Sequence, residues 1–491
     1  MIALLLILFP LAGGLIAFLI KDEKQTRLWA LLSSLASLAL TVIGICATQN
    51  EQLLNFHADW LPTIGARFSL EMSGVSLLLC LLNTLTYPII FLANWKTAFK
   101  KSNNFFGLML LAQAGMMGVF MAADALLFYF FWELALIPMY FLCSQWGGAN
   151  RIKVTFKFFV YTFLGSLLML VSILLLYGMT EDHSFSLASF SKIHFTNPQQ
   201  SLAFWLMFAA FAVKMPIFPL HTWQPDTYEQ TNGATTMVLS GIMVKMGLFG
   251  MIRWLFPVMP EASFAWGDVV TLTAIIGMIY ASLIALRQDD MKRLVAYSSI
   301  AHVGFMCAGL FTQNESGVQG VMIQMFSHGI NILGLWIVVD WIEKKTGTRK
   351  ISELGGVAQK APALTIAFVI IAFANIALPL TNAFVGEFLI FNGLLGSFTK
   401  YYVLYTALAG LCIVLSAAYM LRMVRKVAYG AVKDSVANIG DIDFRHKLAL
   451  GVLVILILTI GIYPQPILNL TSHASDALVA HFEVIKKAML K

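Results

Sequence analysis

Apolar runs long enough to cross a bilayer follow one another almost without interruption along this 491-residue chain. About twenty such residues span the ~30 Å hydrocarbon core as a helix, and lipid offers no partner to a bare peptide group. Spans are read at about 2–20, 28–48, 72–94, 105–121, 123–145, 158–178 and 201–220. Further spans lie at about 234–256, 267–286, 294–312, 318–341, 363–395, 402–424 and 448–468. The expected fold is therefore an all-α polytopic membrane protein of about 14 transmembrane helices. Only 12% of the residues are charged, about half the share in soluble domains, which excludes an ordinary cytosolic enzyme. The longest connections, 49–71 and 179–200, read as loops, and no soluble domain fits between the spans.

A net charge of +7 invites a nucleic-acid partner, but the positions of the basic residues remove that reading. Segments 21–27, 96–101, 151–157, 287–293, 344–360 and 422–447 hold most of the 32 Lys and Arg. They alternate with connections holding only Arg67, Lys192, Arg253, Lys400 and the tail residues Lys486, Lys487 and Lys491. The positive-inside rule makes the rich segments internal, so both termini face outward. The first span has no basic residue ahead of it, unlike a secretory signal. Five cysteines (Cys46, Cys80, Cys143, Cys307, Cys412) sit apart in apolar runs without a CxxC pair and read as small buried hydrophobes.

Two basic residues, Lys214 and Lys245, fall inside spans. They join Glu133, His302, His328 and Glu387, each in a different predicted helix. A charge near the bilayer centre costs ~3 kcal/mol on insertion scales, so each needs a partner or a water path. Every one has a bland alternative: a structural Glu–Lys pair, a hydrogen-bonded packing histidine, a neutral buried acid. Asp124 reads as a helix-start residue, and Arg253 and Asp340 as span-end residues reaching the interface. Together, carboxylates, buried amines and imidazoles can exchange protons near neutral pH, and a row of them across helices makes a lateral proton wire.

Prolines mark where that row is hinged. Pro216 and Pro219 interrupt the seventh span and Pro379 the twelfth, and each frees backbone carbonyls within its helix. Broken helices in two halves of a transporter flank its ion path. Their spacing fits two inverted five-helix repeats with broken helices 7 and 12. The organisation is then 1–100 (helices 1–3), 101–260 (helices 4–8), 261–430 (helices 9–13) and 431–491 (helix 14 and a tail). From Ser472 the tail places Leu478, Phe482, Ile485 and Met489 at helical spacing, an amphipathic helix at the outer surface or against a partner subunit.

Four segments carry a resemblance: Phe131-Trp132-Glu133-Leu134, His221-Thr222-Trp223-Gln224-Pro225-Asp226, Lys292-Arg293-Leu294-Val295-Ala296-Tyr297-Ser298-Ser299 and Phe384-Val385-Gly386-Glu387-Phe388. The chain resembles the antiporter-like subunits of respiratory complex I, most strongly over about 100–430. Within that family it looks most like the M-type chains of bacterial proton-pumping NADH–quinone oxidoreductase. The ionisable group of the twelfth span is Glu387, where sibling chains usually carry Lys. The ending Tyr463-Pro464-Gln465-Pro466 fits too, and no long lateral helix follows the fourteenth span. Two departures stand out. Gln230-Thr231-Asn232-Gly233 replaces the family's usual Ala-Pro-Thr, and Pro379-Leu380-Thr381 replaces the more usual Pro-Gly.

The resemblance implies roles. Glu133 and Lys214 would be the coupled pair of the first half-channel, and Lys245 the central relay. His302 and His328 would carry the proton onward, and Glu387 would be the terminal group of the second half. It implies a bacterial inner membrane location and partnership with other membrane-arm subunits, including neighbouring antiporter-like chains, with lipid around them and no nucleic acid. No cofactor is expected in this chain; NADH, FMN, iron–sulfur clusters and quinone are expected on partner subunits. The rival readings are a subunit of a multi-subunit sodium/proton antiporter, a solute carrier and a purely structural anchor.

Overall fold

The computed structural model describes residues 1–47 and 51–489, the side chains of 51 and 484–489 excepted. Among these residues, 12 helices are long and apolar enough to cross a membrane. Six of them come first: α1 (Ile2–Leu19), α2 (Glu23–Cys46), α3 (Val75–Ala93), α4 (Ser102–Met121), α5 (Ala125–Gln145) and α6 (Arg151–Tyr177). Then α7 (Asn197–Lys214) and the short α8 (Trp223–Gln230) lead into a long helix, α9, over Gly233–Val258. Next are α10 (Gly267–Arg287), α11 (Met291–Leu310) and α12 (Glu315–Thr346). Two half-helices follow, α13 (Pro362–Asn375) and α14 (Asn382–Leu395). The chain closes with α15 (Tyr402–Ala428), α16 (Phe444–Ile462) and α17 (Gln465–Met489).

Helix starts follow from the sequence. Asp124 accepts hydrogen bonds from the amides of Leu126 and Leu127, both at 3.0 Å, and so caps α5 as a start residue should. Asp443 caps α16 through the amide of His446 and pairs with Lys96 at 2.8 Å. Burial raises its carboxyl, but the Lys96 ammonium and the His446 ring and amide outweigh burial and hold it well below the usual carboxylate range.

Burial then separates the helices. Helices α9 and α12 are enclosed by protein along their whole apolar windows and α11 nearly so, whereas α2, α15 and α16 bury only about a third of theirs. The enclosed three form the axis and carry Lys245, His302 and His328, whereas α5 and α14, which carry Glu133 and Glu387, also present exposed apolar side chains such as Phe130 and Phe388. Within α9 the backbone widens into two π-helical turns, Leu239–Met243 and Met251–Leu255, on either side of Lys245.

Two helices stop partway. The last turn of α7 closes with Met215 N–H on Phe211 C=O (2.8 Å), then Ile217 N–H on Ala212 C=O (2.9 Å) and Leu220 N–H on Ile217 C=O (2.7 Å). The last turn of α13 repeats these bonds: Ile376 on Ala372 (3.2 Å), Leu378 on Phe373 (3.0 Å) and Thr381 on Leu378 (3.1 Å). By this register Lys214 and Asn375 occupy equivalent positions. Between α13 and α14, Ala377 and Leu380 have φ of 54° and 74°, a left-handed conformation that disfavours side chains with a Cβ. Leu380 stands where the resemblance leads one to expect glycine. The turn is held from outside by Gly461, where an added Cβ would lie 2.2 Å from the Leu380 carbonyl oxygen.

Three expectations need correction. The connection 49–71 is not wholly a loop: Phe56–Leu61 (β1) and Ala66–Leu70 (β2) form an antiparallel hairpin, so among the described residues the fold is all-α except for it. Pro62 and the left-handed Gly65 (φ 73°) supply its turn. The tail helix starts at Gln465, immediately after Pro464, rather than at Ser472, and it lies on this chain's own bundle: Phe482 meets Phe256 with ring centroids 5.3 Å apart. Leu478 and Phe482 are buried as their spacing predicts; the side chains of Ile485, Lys486, Lys487 and Met489 lie outside the described residues. Finally, Cys46 is exposed, unlike the other four cysteines, because it ends a helix that buries only one stripe.

Candidate functional site

The six ionisable residues singled out in the sequence come from α5, α7, α9, α11, α12 and α14 and fall into two groups. In the first, the Glu133 carboxyl faces the Ser166 hydroxyl and the Lys214 ammonium, and its Oε1 is buried without a hydrogen-bond partner. Glu133 also forms part of an apolar groove of about 260 Å³ on the side of the bundle, walled by Trp60, Tyr129, Phe130 and Ile137. Lys214 is buried, and its Nζ has no hydrogen-bond partner. It lies 5.4 Å from the centroid of the Trp132 ring, close enough for a cation–π contact, which offsets part of the cost of burying the charge.

The second group is contiguous. Lys245 Nζ donates to the Ser240 carbonyl at 2.9 Å and lies 2.8 Å from His328 Nδ1. The wide turn before Lys245 makes that first bond possible, because it presents a carbonyl five residues back. His328 stands 5.7 Å, ring to ring, from His302, and its own Nε2 has no partner. His302 Nδ1 lies 3.4 Å from Glu387 Oε1, and its Nε2 lies 3.4 Å from Asn375 Oδ1. Gln324 Nε2 donates to Glu387 Oε1 at 3.3 Å. Lys245 thus connects side chain by side chain to Glu387, across four helices.

Between the groups, α7 presses against α9. An added Cβ at Gly247 would lie 2.7 Å from the Phe211 carbonyl oxygen, and one at Gly250 2.5 Å from the Phe211 ring. These glycines let the helix bearing Lys214 close onto the helix bearing Lys245, the close approach that small residues permit within membranes.

The quoted motifs extend beyond this row. Asp226 pairs with Lys157 at 2.8 Å and with Arg293 at 3.2 Å. Glu229 takes Arg293 at 2.8 Å and Arg349 at 2.6 Å, while Arg349 also reaches Asp290 at 2.5 Å. Lys292 pairs with Glu343 at 2.6 Å. This network borders a vestibule of about 520 Å³ that includes Glu229, Lys292, Asp340, Glu343, Lys344 and Arg349. It ties α8 to α11 and α12. Arg253 and Asp340, read as span-end residues, each have a partner: Glu71 at 2.5 Å and Lys344 at 2.6 Å.

Sequence reasoning missed Ser240, Gln324, Asn375 and, behind Asn375, Tyr419, and it gave Ser298, though within a quoted motif, no role of its own. Amides and hydroxyls are common in spans and carry no charge to mark them. The one available signal was position, since Asn375 sits just ahead of the predicted break at Pro379.

Residues 122–416 match the family model described as "NADH:quinone oxidoreductase/Mrp antiporter, TM". The chain is 36% identical to NADH-quinone oxidoreductase subunit M of Rickettsia bellii over 470 residues, 94% of each chain. The chain belongs to this family. A second member, F(420)H(2) dehydrogenase subunit M of Methanosarcina mazei, is 33% identical over 98% of each chain. Among solved structures, a chain of respiratory complex I from Thermus thermophilus with bound NADH superposes with a TM-score of 0.91 at 26% identity. That match covers 98% of this chain and 100% of the other. The Mrp complex from Dietzia sp. shares the fold, with a TM-score of 0.86 at 20% identity over 97% of this chain and 52% of that one. For a member of the NADH:quinone oxidoreductase/Mrp antiporter family, a protein-enclosed row of Lys, His and Glu is the feature that needs a functional account.

Proposed function

We propose that this chain moves protons through a lateral relay in which Glu133 and Lys214 form the entry pair, Lys245 is the central group, and His328, His302 and Glu387 carry the proton onward. The chain is a proton-translocating, antiporter-like membrane subunit of an NADH–quinone oxidoreductase, part of a translocase whose electron transfer takes place in other subunits. NADH, FMN, iron–sulfur clusters and quinone belong to those partners, and quinone reduction there drives the relay.

The single observation that carries the relay is the series Lys245, His328, His302, Glu387, in which the two imidazoles stand 5.7 Å apart ring to ring. Lys245 Nζ and His328 Nδ1 are at hydrogen-bond distance, so a proton arriving at Nδ1 releases another from Nε2, the unpartnered face of the ring. His302 Nδ1 opposite Glu387 completes the series. Coupling to the first group is electrostatic. A Glu133 carboxylate beside Lys214 stabilises the ammonium, and withdrawing that charge drives its proton toward Lys245.

The finer architecture is part of the same reading. With α7 and the α13–α14 pair each counted as one broken crossing, the 12 long helices become fourteen spans. Both termini then face outward across a bacterial inner membrane. The units are 1–100, 101–260, 261–430 and 431–491, the middle two inverted repeats. The recurrence of three backbone bonds at the two breaks supports those repeats. Neighbouring antiporter-like chains and lipid are the partners.

The Methanosarcina mazei relative carries a second reading of the electron donor: partner chains oxidising reduced F420 in place of NADH would leave the proton chemistry here unchanged. The test is Lys245→Ala in membrane vesicles, with proton pumping and quinone-linked NADH oxidation followed together. The expected result is loss of both, about tenfold or more, in a complex that still assembles. Unchanged NADH oxidation with lost sodium/proton exchange would make this an antiporter subunit instead.

A further inference from the structure

The His302 ring is held from behind by groups that the relay does not use. Ser416 Oγ lies 3.0 Å from the Tyr419 hydroxyl, which donates to Ser298 Oγ at 3.0 Å. Ser298 in turn donates to Asn375 Oδ1 at 3.1 Å. All four side chains are buried, so water is not available to replace a missing partner.

Donor bookkeeping fixes the direction of every bond in this chain. An amide oxygen only accepts. Ser298 spends its one proton on that oxygen and must therefore accept from Tyr419, and Tyr419 must accept from Ser416. The second lone pair of Asn375 Oδ1 faces His302 Nε2 at 3.4 Å, and an acceptor there requires that Nε2 carry hydrogen. In neutral His302 beside a protonated Glu387 the hydrogen then sits on Nε2, and the bare Nδ1 accepts from the Glu387 Oε1–H.

We infer that Asn375, oriented by Ser298 and Tyr419, is a positioning residue that holds His302 in its Nε2–H form, so that His302 takes and releases its proton through Nδ1 alone. The inference rests on the relay reading above. It divides labour between the two imidazoles. His328 passes a proton through the ring, in at one nitrogen and out at the other, whereas His302 stores one at a single nitrogen and hands it to the Glu387 carboxylate. The N–H bond at Nδ1 breaks as the O–H bond at Oε1 forms, and Gln324 holds that oxygen in place. The register of the two breaks bears on it independently. Asn375 holds the position that Lys214 holds in the first half, and here that position carries a neutral oriented acceptor rather than a proton-exchanging amine.

The titratable groups facing His302 are Glu387 on α14 and His328 on α12, with Lys245 behind His328 and the Tyr419 hydroxyl reaching Asn375 through Ser298. Asn375→Asp keeps an acceptor but adds a negative charge against Nε2–H. It should keep His302 protonated, cutting pumping several-fold at neutral pH and moving the alkaline limb of the pumping profile up by about one to three pH units. Should Asn375→Asp fail to assemble, Ser298→Ala frees the amide to turn and should flatten the same limb, with Ser298→Thr restoring most of it. In assembled complex, 15N-histidine NMR compared between wild type and His302→Gln reports the tautomer directly. An Nε2–H signal is expected; an Nδ1–H signal, or a wild-type pH profile in Asn375→Asp, overturns the assignment. His302→Gln separates the two levels. If it pumps normally, the relay reading fails; if it does not pump while Asn375→Asp leaves the profile unmoved, only the positioning role of Asn375 fails.

Discussion

At the end of α7 the chain places Lys214, and at the end of α13, in the same three-bond turn, it places Asn375. Lys214 is buried with no hydrogen-bond partner, relying on an aromatic face and a nearby carboxylate. Asn375 sits within a chain of four hydrogen bonds that runs from Ser416 to His302. One backbone device thus serves opposite ends. An unpartnered buried amine is unstable in its charged form unless a neighbour compensates, so it responds to its surroundings. An amide whose oxygen takes two hydrogen bonds is held in place and makes its neighbour predictable. In the proposed relay the first group senses and the second directs.

The comparison can be broken most sharply at Lys214. Lys214→Ala removes the responsive group and should reduce quinone-linked NADH oxidation about tenfold or more with assembly intact, as should Glu133→Ala. Wild-type turnover in either variant removes that pair from the mechanism. Backbone support comes next. Gly461→Ala drives a Cβ into the Leu380 carbonyl, a backbone atom that cannot swing aside, and should destabilise the bundle by about 1–3 kcal/mol. Thermal unfolding of the purified complex reads this as a lowered midpoint, and an unmoved midpoint would show that the second turn is not held from α16. Leu380→Gly should do least. Relief of a left-handed leucine, about 1–2 kcal/mol, is offset in part by the larger entropy of an unfolded glycine. The midpoint should stay within a few degrees of wild type, and a large drop would mean that the Leu380 side chain has a role its exposure does not suggest.

Much of this was legible in the residues. Lys214, Lys245 and Glu387 declared themselves because a charge inside an apolar run has few innocent explanations, and Pro379 marked the second break. The Lys245–His328 contact was not legible, since two helices far apart in sequence meet only through packing that periodicity does not encode. Ser298, Asn375 and Tyr419 were hidden for a different reason. Neutral polar groups enter membrane helices cheaply, and only their mutual distances separate a working chain from scattered residues. The hairpin at Phe56–Leu61 and Ala66–Leu70 was lost because its strands are short and lie outside the spans that dominated the reading.

The wide turn at Leu239–Met243 has a consequence for how this gene can change. A π-helical turn is an α-helix carrying one surplus residue, and each residue of an α-helix advances the face by about 100°. Deleting one codon in that stretch would heal the turn into a regular helix with Lys245 still near its present face, but it would remove the wide turn that presents the Ser240 carbonyl to the Lys245 ammonium. The residues of that turn are buried, and its length is set as well: the surplus residue is what gives Lys245 a backbone carbonyl to donate to, and a frame-preserving deletion that looks harmless would take that partner away.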